Sequence, residues 1–180
     1  AVIGMEVDTL ESVLSEYQSS PVVIANYNCP GQLIVSGEKQ GLDNAVEAIK
    51  SKGAKVIPLK VSGAFHSPLM QDASDKLANY LESIEFENAS VPIILNRTGL
   101  PEQSGQALKE NLVQQVVSSV QWIDSMTYMA TKVEGIVECG QGKVLTGLNK
   151  KILSDHLLFS VFSVEMLESF KEAYFQSIES

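Results

Sequence analysis

The sequence predicts an α/β fold in two parts, a ferredoxin-like βαββαβ subdomain over residues 1–62 and a second α/β portion over residues 63–180. Three observations lead to this prediction. Apolar runs alternate with amphipathic segments through the first part. A Cys-Pro-Gly turn joins two of these runs, as it would between antiparallel neighbours. Later in the chain, helices alternate with short strands, as in the closing half of a larger α/β sheet.

Local patterns place the elements of the first part. Apolar residues at helical spacing follow the strand-like start of the chain, and Asp8 with Glu11 predicts a capping box at the first helix. The second helix ends at Gly53, as a C′ glycine would. Pro58 has no amide hydrogen, so the last strand is expected not to pair along its whole length. The strands are predicted at 1–5, 21–28, 32–37 and 55–61.

The second part is predicted to begin with a helix at Pro68. Ser67 is a good N-cap residue and proline suits the first helical position. Helices are predicted at 68–83, 106–119, 121–132, 143–153 and 164–178, and strands at 91–96, 135–139 and 157–162.

Composition limits the classes of function. The net charge of −9 argues against a generic nucleic-acid binder, which would normally carry a basic stripe. No apolar run approaches the ~20 residues that span a bilayer, so no membrane association is expected. Cys29 and Cys139 form no CxxC pair, and His156 has no partner at ligand spacing, so no metal site is expected. A reducing cytoplasm is the predicted location.

The histidine of VSGAFHSPLM, residues 61–70, is the strongest candidate for chemistry. His66 stands before a predicted helix start, where the positive end of the dipole disfavours an imidazolium and leaves a neutral base. A serine or cysteine nucleophile requires such a base. Two alternatives stay open at this point: a structural histidine bonded to the main chain, and a histidine that binds substrate without proton transfer.

Four blocks of sequence then point to a family: NYNCPGQLIVSG, GAFHSPLM, LVQQVVSSVQW and GQGKVLTGLNKK, which occur in this order between residues 26 and 151. Together they resemble the C-terminal part of the malonyl-CoA:acyl carrier protein transacylases. The resemblance implies that residues 63–180 are the C-terminal part of an α/β-hydrolase-like acyltransferase core. It also implies malonyl transfer from malonyl-CoA to the phosphopantetheine thiol of acyl carrier protein in fatty acid biosynthesis. CoA would be the product, and no cofactor would be needed.

The resemblance also gives roles to single residues. His66 would take the proton of the family's nucleophilic serine and later activate the carrier protein's thiol. Gln115 matches the position that holds the imidazole through its other nitrogen, although by itself it is better explained as a solvated helix residue. Asn26, Asn28 and Gln32 match polar strand positions that face the acyl-CoA channel, although asparagines beside turns are also common.

Phe65 adds a hypothesis about specificity. Related acyltransferases that carry an Ala-Phe-His sequence tend to use malonyl rather than methylmalonyl units, and the ring could crowd an α-methyl group. Such a steric preference would be worth ~1 to 3 kcal/mol. Packing of Phe65 in the core is the alternative.

One part of the family pattern is missing from the sequence. No Gly-x-Ser-x-Gly occurs in the 180 residues, so the family's serine is not expected in this chain. An N-terminal portion of the same enzyme is therefore an expected partner, and the isolated chain is expected to be inactive. A second hypothesis is a non-catalytic, ferredoxin-like module that binds carrier protein or another ligand without any need for His66.

Overall fold

Two helices and four strands form the first part of the chain in the computed structural model, which describes residues 1–17 and 20–179. The strands pair antiparallel, and their order across the sheet places the first strand between the third and the fourth. The elements are β1 (Val2–Ile3), α1 (Val7–Leu14), β2 (Val22–Cys29), β3 (Gln32–Gly37), α2 (Lys39–Ser51) and β4 (Lys55–Val56).

The two helices bury one face of this sheet in an apolar core. Leu10 of α1, Leu33 of β3 and Ile49 of α2 are each at most 1% exposed. Apolar residues recur at helical spacing in α1 and α2 and alternate along the strands. These apolar faces therefore pack against one another in a single layer. Two register shifts interrupt the pairing of β2 with β3, between Ile24 and Asn26 and between Tyr27 and Cys29.

The start of α1 differs from the prediction. Glu6 is the N-cap residue and makes no capping bond through its side chain, so the capping box at Asp8 and Glu11 is wrong. The Glu11 carboxylate instead accepts a hydrogen bond of 3.0 Å from the Tyr27 hydroxyl on β2. A tertiary contact thus uses the side chain that the local pattern assigned to the helix end.

The fourth strand is short, as Pro58 predicted. β4 ends at Val56, and only one more pair of main-chain contacts joins Ile57 to Ala1. The prediction of a strand through residue 61 is therefore wrong beyond this point, because proline supplies no donor for the ladder.

By its contacts the chain divides into one compact unit of residues 1–125 and another of residues 126–180. The boundary predicted after residue 62 lies inside the first unit. The first unit continues with a 3₁₀ helix (Pro68–Met70), α3 (Gln71–Leu81), β5 (Ile93–Ile94), β6 (Pro101–Glu102), α4 (Gly105–Gln115) and the start of α5 (Trp122–Ala130).

Four predictions for this stretch are wrong in length. The helix expected at 68–83 ends at Leu81 and the helix expected at 121–132 ends at Ala130. The strand expected at 91–96 is only the two residues of β5, since its partner β6 is equally short and Pro92 has no amide hydrogen. The helix expected to reach residue 119 ends at Gln115. The residues that follow leave the helix and run to the edge of β2, where Val120 forms a parallel bridge with Asn26.

The second unit contains β7 (Gly135–Cys139), α6 (Val144–Ile152), β8 (Leu157–Val161) and α7 (Val164–Glu179). β7 and β8 pair in parallel, as expected for strands joined by a helix. These four elements agree with the predicted bounds to within one residue. Among the helices of residues 1–17 and 20–179, none combines the length and the apolar character that crossing a bilayer requires.

Candidate active site

The main chain at His66 has an unusual conformation. Its φ is 57°, and no other non-glycine residue in the described part of the chain has a positive φ. The left-handed region costs an ordinary L-residue roughly 1 to 2 kcal/mol. Strain of this kind is concentrated at functional sites, where the surrounding structure holds it in place. The strain therefore supports a chemical role for this histidine.

Ser67 holds the turn that carries His66. Its hydroxyl donates a 2.6 Å hydrogen bond to the Ala64 oxygen, and the residue is 1% exposed. Ser67 does precede the first helical turn at Pro68, but its side chain does not cap that turn. The turn is 3₁₀, and α3 begins only at Gln71. The prediction of Ser67 as the N-cap residue and of proline in the first turn is confirmed, while the hydroxyl bonds back to the preceding turn.

Two main-chain oxygens contact the imidazole of His66. Its Nδ1 lies 3.1 Å from the Gln115 oxygen and 3.2 Å from the Ser118 oxygen, and the ring is partly buried. A carbonyl oxygen only accepts, so Nδ1 must carry the hydrogen that these oxygens bind. In the neutral ring, Nε2 then has the free lone pair. This arrangement gives a base with a defined reactive nitrogen.

Gln115 lies beside the imidazole, as the family resemblance implied, and the contact is made by its main-chain oxygen. Gln115 is the last residue of α4, where carbonyls have no partner inside the helix. Ser118 was missed by sequence reasoning. It also acts through its carbonyl, and no side-chain type signals such a role.

The segment that follows α4 contacts β2 as well as His66. Val120 pairs with Asn26, so one candidate polar residue lies beside the segment that contacts His66. Asn28 and Gln32 lie farther along the strands toward the β2–β3 turn, and all three are partly buried. Of these three residues, the structure brings Asn26 next to the segment that contacts His66.

Phe65 does not lie in the core. Its side chain is 48% exposed and stands next to His66 in the chain. Its ring lies near Gly63, since a Cβ built on that glycine would be 3.5 Å from a ring carbon. Packing in the core, the alternative explanation for this residue, is therefore excluded by its exposure.

A metal centre was not expected, and none of the described residues form a group of three or more histidine, cysteine or acidic side chains that could hold an ion. Neither cysteine forms a disulfide in the described part of the chain, and Cys29 is buried while Cys139 is exposed. His156 in the second unit also contacts a main-chain oxygen. It does so through Nε2, which lies 3.0 Å from the Ala130 oxygen, whereas His66 uses Nδ1.

The chain is similar to several known proteins. The chain is 39% identical over 176 residues to a malonyl CoA-acyl carrier protein transacylase of Staphylococcus aureus, a match that covers 96% of this chain and 57% of the relative. It is similar to an acyl-carrier-protein S-malonyltransferase of Burkholderia pseudomallei, with a TM-score of 0.90 and 35% identity over 93% of this chain and 56% of that one.

A third match is a malonyl-transacylase solved in complex with a type II PKS acyl-carrier protein, with a TM-score of 0.89 and 35% identity over 93% of this chain and 55% of that one. The chain thus spans less than two thirds of the length of these relatives. The resemblance found in the sequence motifs is confirmed. The family model described as an acyl transferase domain matches residues 4–146, and the chain belongs to this family.

Proposed function

We propose that this chain supplies the catalytic histidine of a malonyl-CoA:acyl carrier protein transacylase. The observation that carries the proposal is the contact of His66 Nδ1 with two carbonyl oxygens, which leaves Nε2 as the base. The substrates, malonyl-CoA and acyl carrier protein, are those of the transacylases to which the chain is similar. A non-catalytic binding module would have no use for a strained histidine with a fixed tautomer, and the comparisons do not favour it.

The reaction would proceed in two half-reactions. Nε2 of His66 would take the hydroxyl proton of a serine outside this chain while the serine oxygen attacks the thioester of malonyl-CoA. Collapse of the tetrahedral intermediate would expel CoA, whose sulfur takes the proton from Nε2. In the second half, Nε2 would take the proton of the carrier protein's thiol. The thiolate would attack the malonyl-serine ester, and the proton would return to the serine oxygen.

Further residues would contact the substrate. Asn26, Asn28 and Gln32 would provide polar contacts to acyl-CoA, and Asn26 is supported by its position beside the His66 segment. Phe65 would discriminate against an α-methyl group, and its exposure beside the histidine supports this role. No cofactor beyond the two substrates would be needed.

The partners would be malonyl-CoA, an acyl carrier protein and the serine-bearing portion of the same enzyme. The relative solved with an acyl-carrier protein supports the second partner. The shorter span of this chain compared with its relatives supports the third. The two cysteines form no disulfide in the described part of the chain, which is in keeping with a reducing compartment, and we place the protein in the cytoplasm.

We also infer that residues 1–62 form a ferredoxin-like small subdomain and that residues 63–180 are part of the large acyltransferase domain. The strand order β2-β3-β1-β4 supports this inference, since β1 lies between β3 and β4 as in a split βαβ arrangement. All core residues of the apolar cluster come from this first segment.

Transfer of labelled malonyl to acyl carrier protein would test the proposal. The assay uses a polypeptide in which the serine-bearing portion of the S. aureus relative precedes Ala1. We expect His66→Ala to lower the rate by about 10² to 10⁴, the usual contribution of a general base. His156→Gln, which changes the other histidine of the chain, is the matched control and should keep the rate.

Loss of transfer in the control as well would point to a folding defect, so circular dichroism of each variant belongs to the experiment. Absence of transfer in the joined polypeptide would overturn the proposal. So would a His66→Ala variant that transfers malonyl at the full rate.

A further inference from the structure

One carbonyl that contacts His66 belongs to Gln115, the last residue of α4, and the other to Ser118 in the segment that follows, which has little regular structure of its own. Its internal bonds are long: Val117 N to the Gln114 oxygen is 3.2 Å and Ser118 N to the Gln115 oxygen is 3.3 Å. Bonds between residues i and i+3 of this kind have poorer geometry than those of an α-helix. The segment therefore needs outside contacts to hold its carbonyls in place.

These contacts come from the edge of β2. Val120 N donates to the Ala25 oxygen at 2.8 Å, and Tyr27 N donates to the Val120 oxygen at 2.9 Å. The third contact is the shortest, a 2.6 Å bond from the Ser119 hydroxyl to the Ile24 oxygen. Only this third contact depends on a side chain, so it is the one that a substitution can remove.

Ser119 is linked directly to one of the two carbonyls. The Ser118 carbonyl and the nitrogen and Cα of Ser119 lie in one peptide plane, which does not rotate freely. A bond that fixes the Ser119 side chain therefore also restricts the direction of the Ser118 oxygen. That oxygen lies 3.2 Å from His66 Nδ1.

We propose that Ser119 is a positioning residue for His66, whose hydroxyl bond to β2 aims the Ser118 carbonyl at Nδ1 and so keeps the hydrogen on that nitrogen. The expected effect of Ser119 on malonyl transfer rests on the proposed function, whereas its expected effect on the tautomer of His66 does not. Without the hydroxyl, one of the two acceptors at Nδ1 is less well aimed and the competing tautomer gains.

Nitrogen-15 NMR of the histidine rings in the 180-residue chain tests this inference directly. The two histidines provide an internal reference, because His156 contacts its carbonyl through Nε2 and His66 through Nδ1. At about pH 9, where a histidine ring is ordinarily neutral, we expect opposite tautomers for the two residues.

Ser119→Ala should lower the ratio of Nδ1–H to Nε2–H at His66 by roughly threefold or more, the value of one ordinary hydrogen bond. The His156 signals should not change. Ser119→Cys, which keeps the size of the side chain but is a weak donor, should shift the ratio in the same direction. Ser119→Thr keeps the hydroxyl and should restore the original ratio.

Ser51→Ala is the matched control. It also removes a serine hydroxyl bonded to a carbonyl, here 2.7 Å from the Ala48 oxygen in α2, and should leave the His66 tautomer unchanged. An unchanged ratio in both Ser119→Ala and Ser119→Cys would overturn the inference, as would an Nε2–H tautomer at His66 in the original chain.

Malonyl transfer by the joined polypeptide adds a kinetic measurement. Ser119→Ala should lower kcat in proportion to the measured fall in the fraction of His66 that carries its hydrogen on Nδ1. It should leave KM for malonyl-CoA unaltered, because this hydroxyl is bonded to the Ile24 oxygen and would act only through His66. If His66→Ala has no effect on transfer, the proposed function fails while the tautomer result stands. If His66→Ala abolishes transfer and the tautomer ratio of His66 is unchanged in the Ser119 variants, only the inference about Ser119 fails.

Discussion

The sheet of residues 2–56 and the unit of residues 126–179 are stabilised in different ways. The sheet encloses an apolar cluster, and its large apolar side chains in the described ranges 1–17 and 20–56 are all buried or partly buried. In the second unit several large apolar side chains are exposed, including Val144 at 72% and Val164 at 76%. Burial of apolar surface therefore accounts for the first region better than for the second.

Polar contacts are prominent in the second unit. The Glu138 carboxylate of β7 accepts hydrogen bonds from the Leu145 N–H and from both the N–H and the hydroxyl of Thr146, at 2.7 to 3.1 Å. The Thr146 hydroxyl is also 2.7 Å from the Ser160 hydroxyl of β8. One carboxylate thus caps α6 and, through Thr146, joins this helix to both strands. The two regions should accordingly respond to different changes.

The largest effect is expected from the apolar core. Leu33→Ala removes a side chain that is 1% exposed and should destabilise the sheet by about 2 to 5 kcal/mol. Val144→Ala in α6 should change stability by only about 0.5 kcal/mol, because that side chain is already in solvent. Native-state hydrogen exchange of β3 and α6 amides measures both. Similar losses in the two variants would contradict the comparison.

The second largest difference between the two regions is expected from one glycine in a helix of each region. A Cβ on Gly41 of α2 would lie 2.5 Å from the Ser20 oxygen, so Gly41→Ala should destabilise the sheet by roughly 1 to 3 kcal/mol. A Cβ on Gly147 of α6 would meet nothing within 4 Å, so Gly147→Ala should stabilise its helix by about 0.5 to 1 kcal/mol. Thermal unfolding should give shifts of opposite sign, and two shifts of the same sign would refute this reasoning.

Alkaline pH should act on the sheet. Burial, followed by the hydrogen bond to Glu11 and its charge, raises the pKa of Tyr27 to about 12. Because the unfolded tyrosine ionises near its ordinary pKa of about 10, the stabilisation is complete below that pH. It declines as the pH rises from about 10 towards 12. Absorbance of tyrosinate should show the late titration of Tyr27, and Glu11→Gln should lower the pKa of this residue. Tyr27→Phe, the control, should remove the late step altogether.

Acidic pH should destabilise the second unit, and this is the smallest of the expected effects. Hydrogen bonds from the Thr146 hydroxyl and main chain lower the pKa of Glu138 below its usual range. A carboxylate with a lowered folded-state pKa stabilises the fold above its unfolded pKa and loses that contribution as the pH falls through the folded value. Exchange of α6 amides should therefore accelerate in acid, and Glu138→Gln should remove this dependence. An unaltered acid response in that variant would show that other groups are responsible.

The sequence predicts regular elements well and their ends less well. β7 and β8 are found where an apolar run flanked by helices places them, because strand and helix periods are local properties. The helix predicted to reach residue 119 stops at Gln115 because the following residues bond to β2, which is distant in sequence. Competition between a helix end and a strand edge is not visible in either segment alone.

The candidate site shows the same limit. The position of His66 before a Ser-Pro pair and its family motif identify the residue, and Gln115 is found beside it. The left-handed φ of His66 and the contribution of Ser118 could not be predicted. A left-handed φ is usually indicated by a glycine, which is not the residue here, and a main-chain carbonyl is present whatever side chain the residue carries.

The two carbonyls at Nδ1 have a consequence for mutational scans of this protein. A substitution scan changes side chains and leaves the Gln115 and Ser118 oxygens in the chain whatever residue is introduced. Deletion or insertion of a single residue between 113 and 119 would instead move those oxygens by several ångströms along the path between α4 and β2. A scan of length changes would thus act directly on these two oxygens, whereas a scan of residue identity reaches them only through neighbouring side chains such as Ser119.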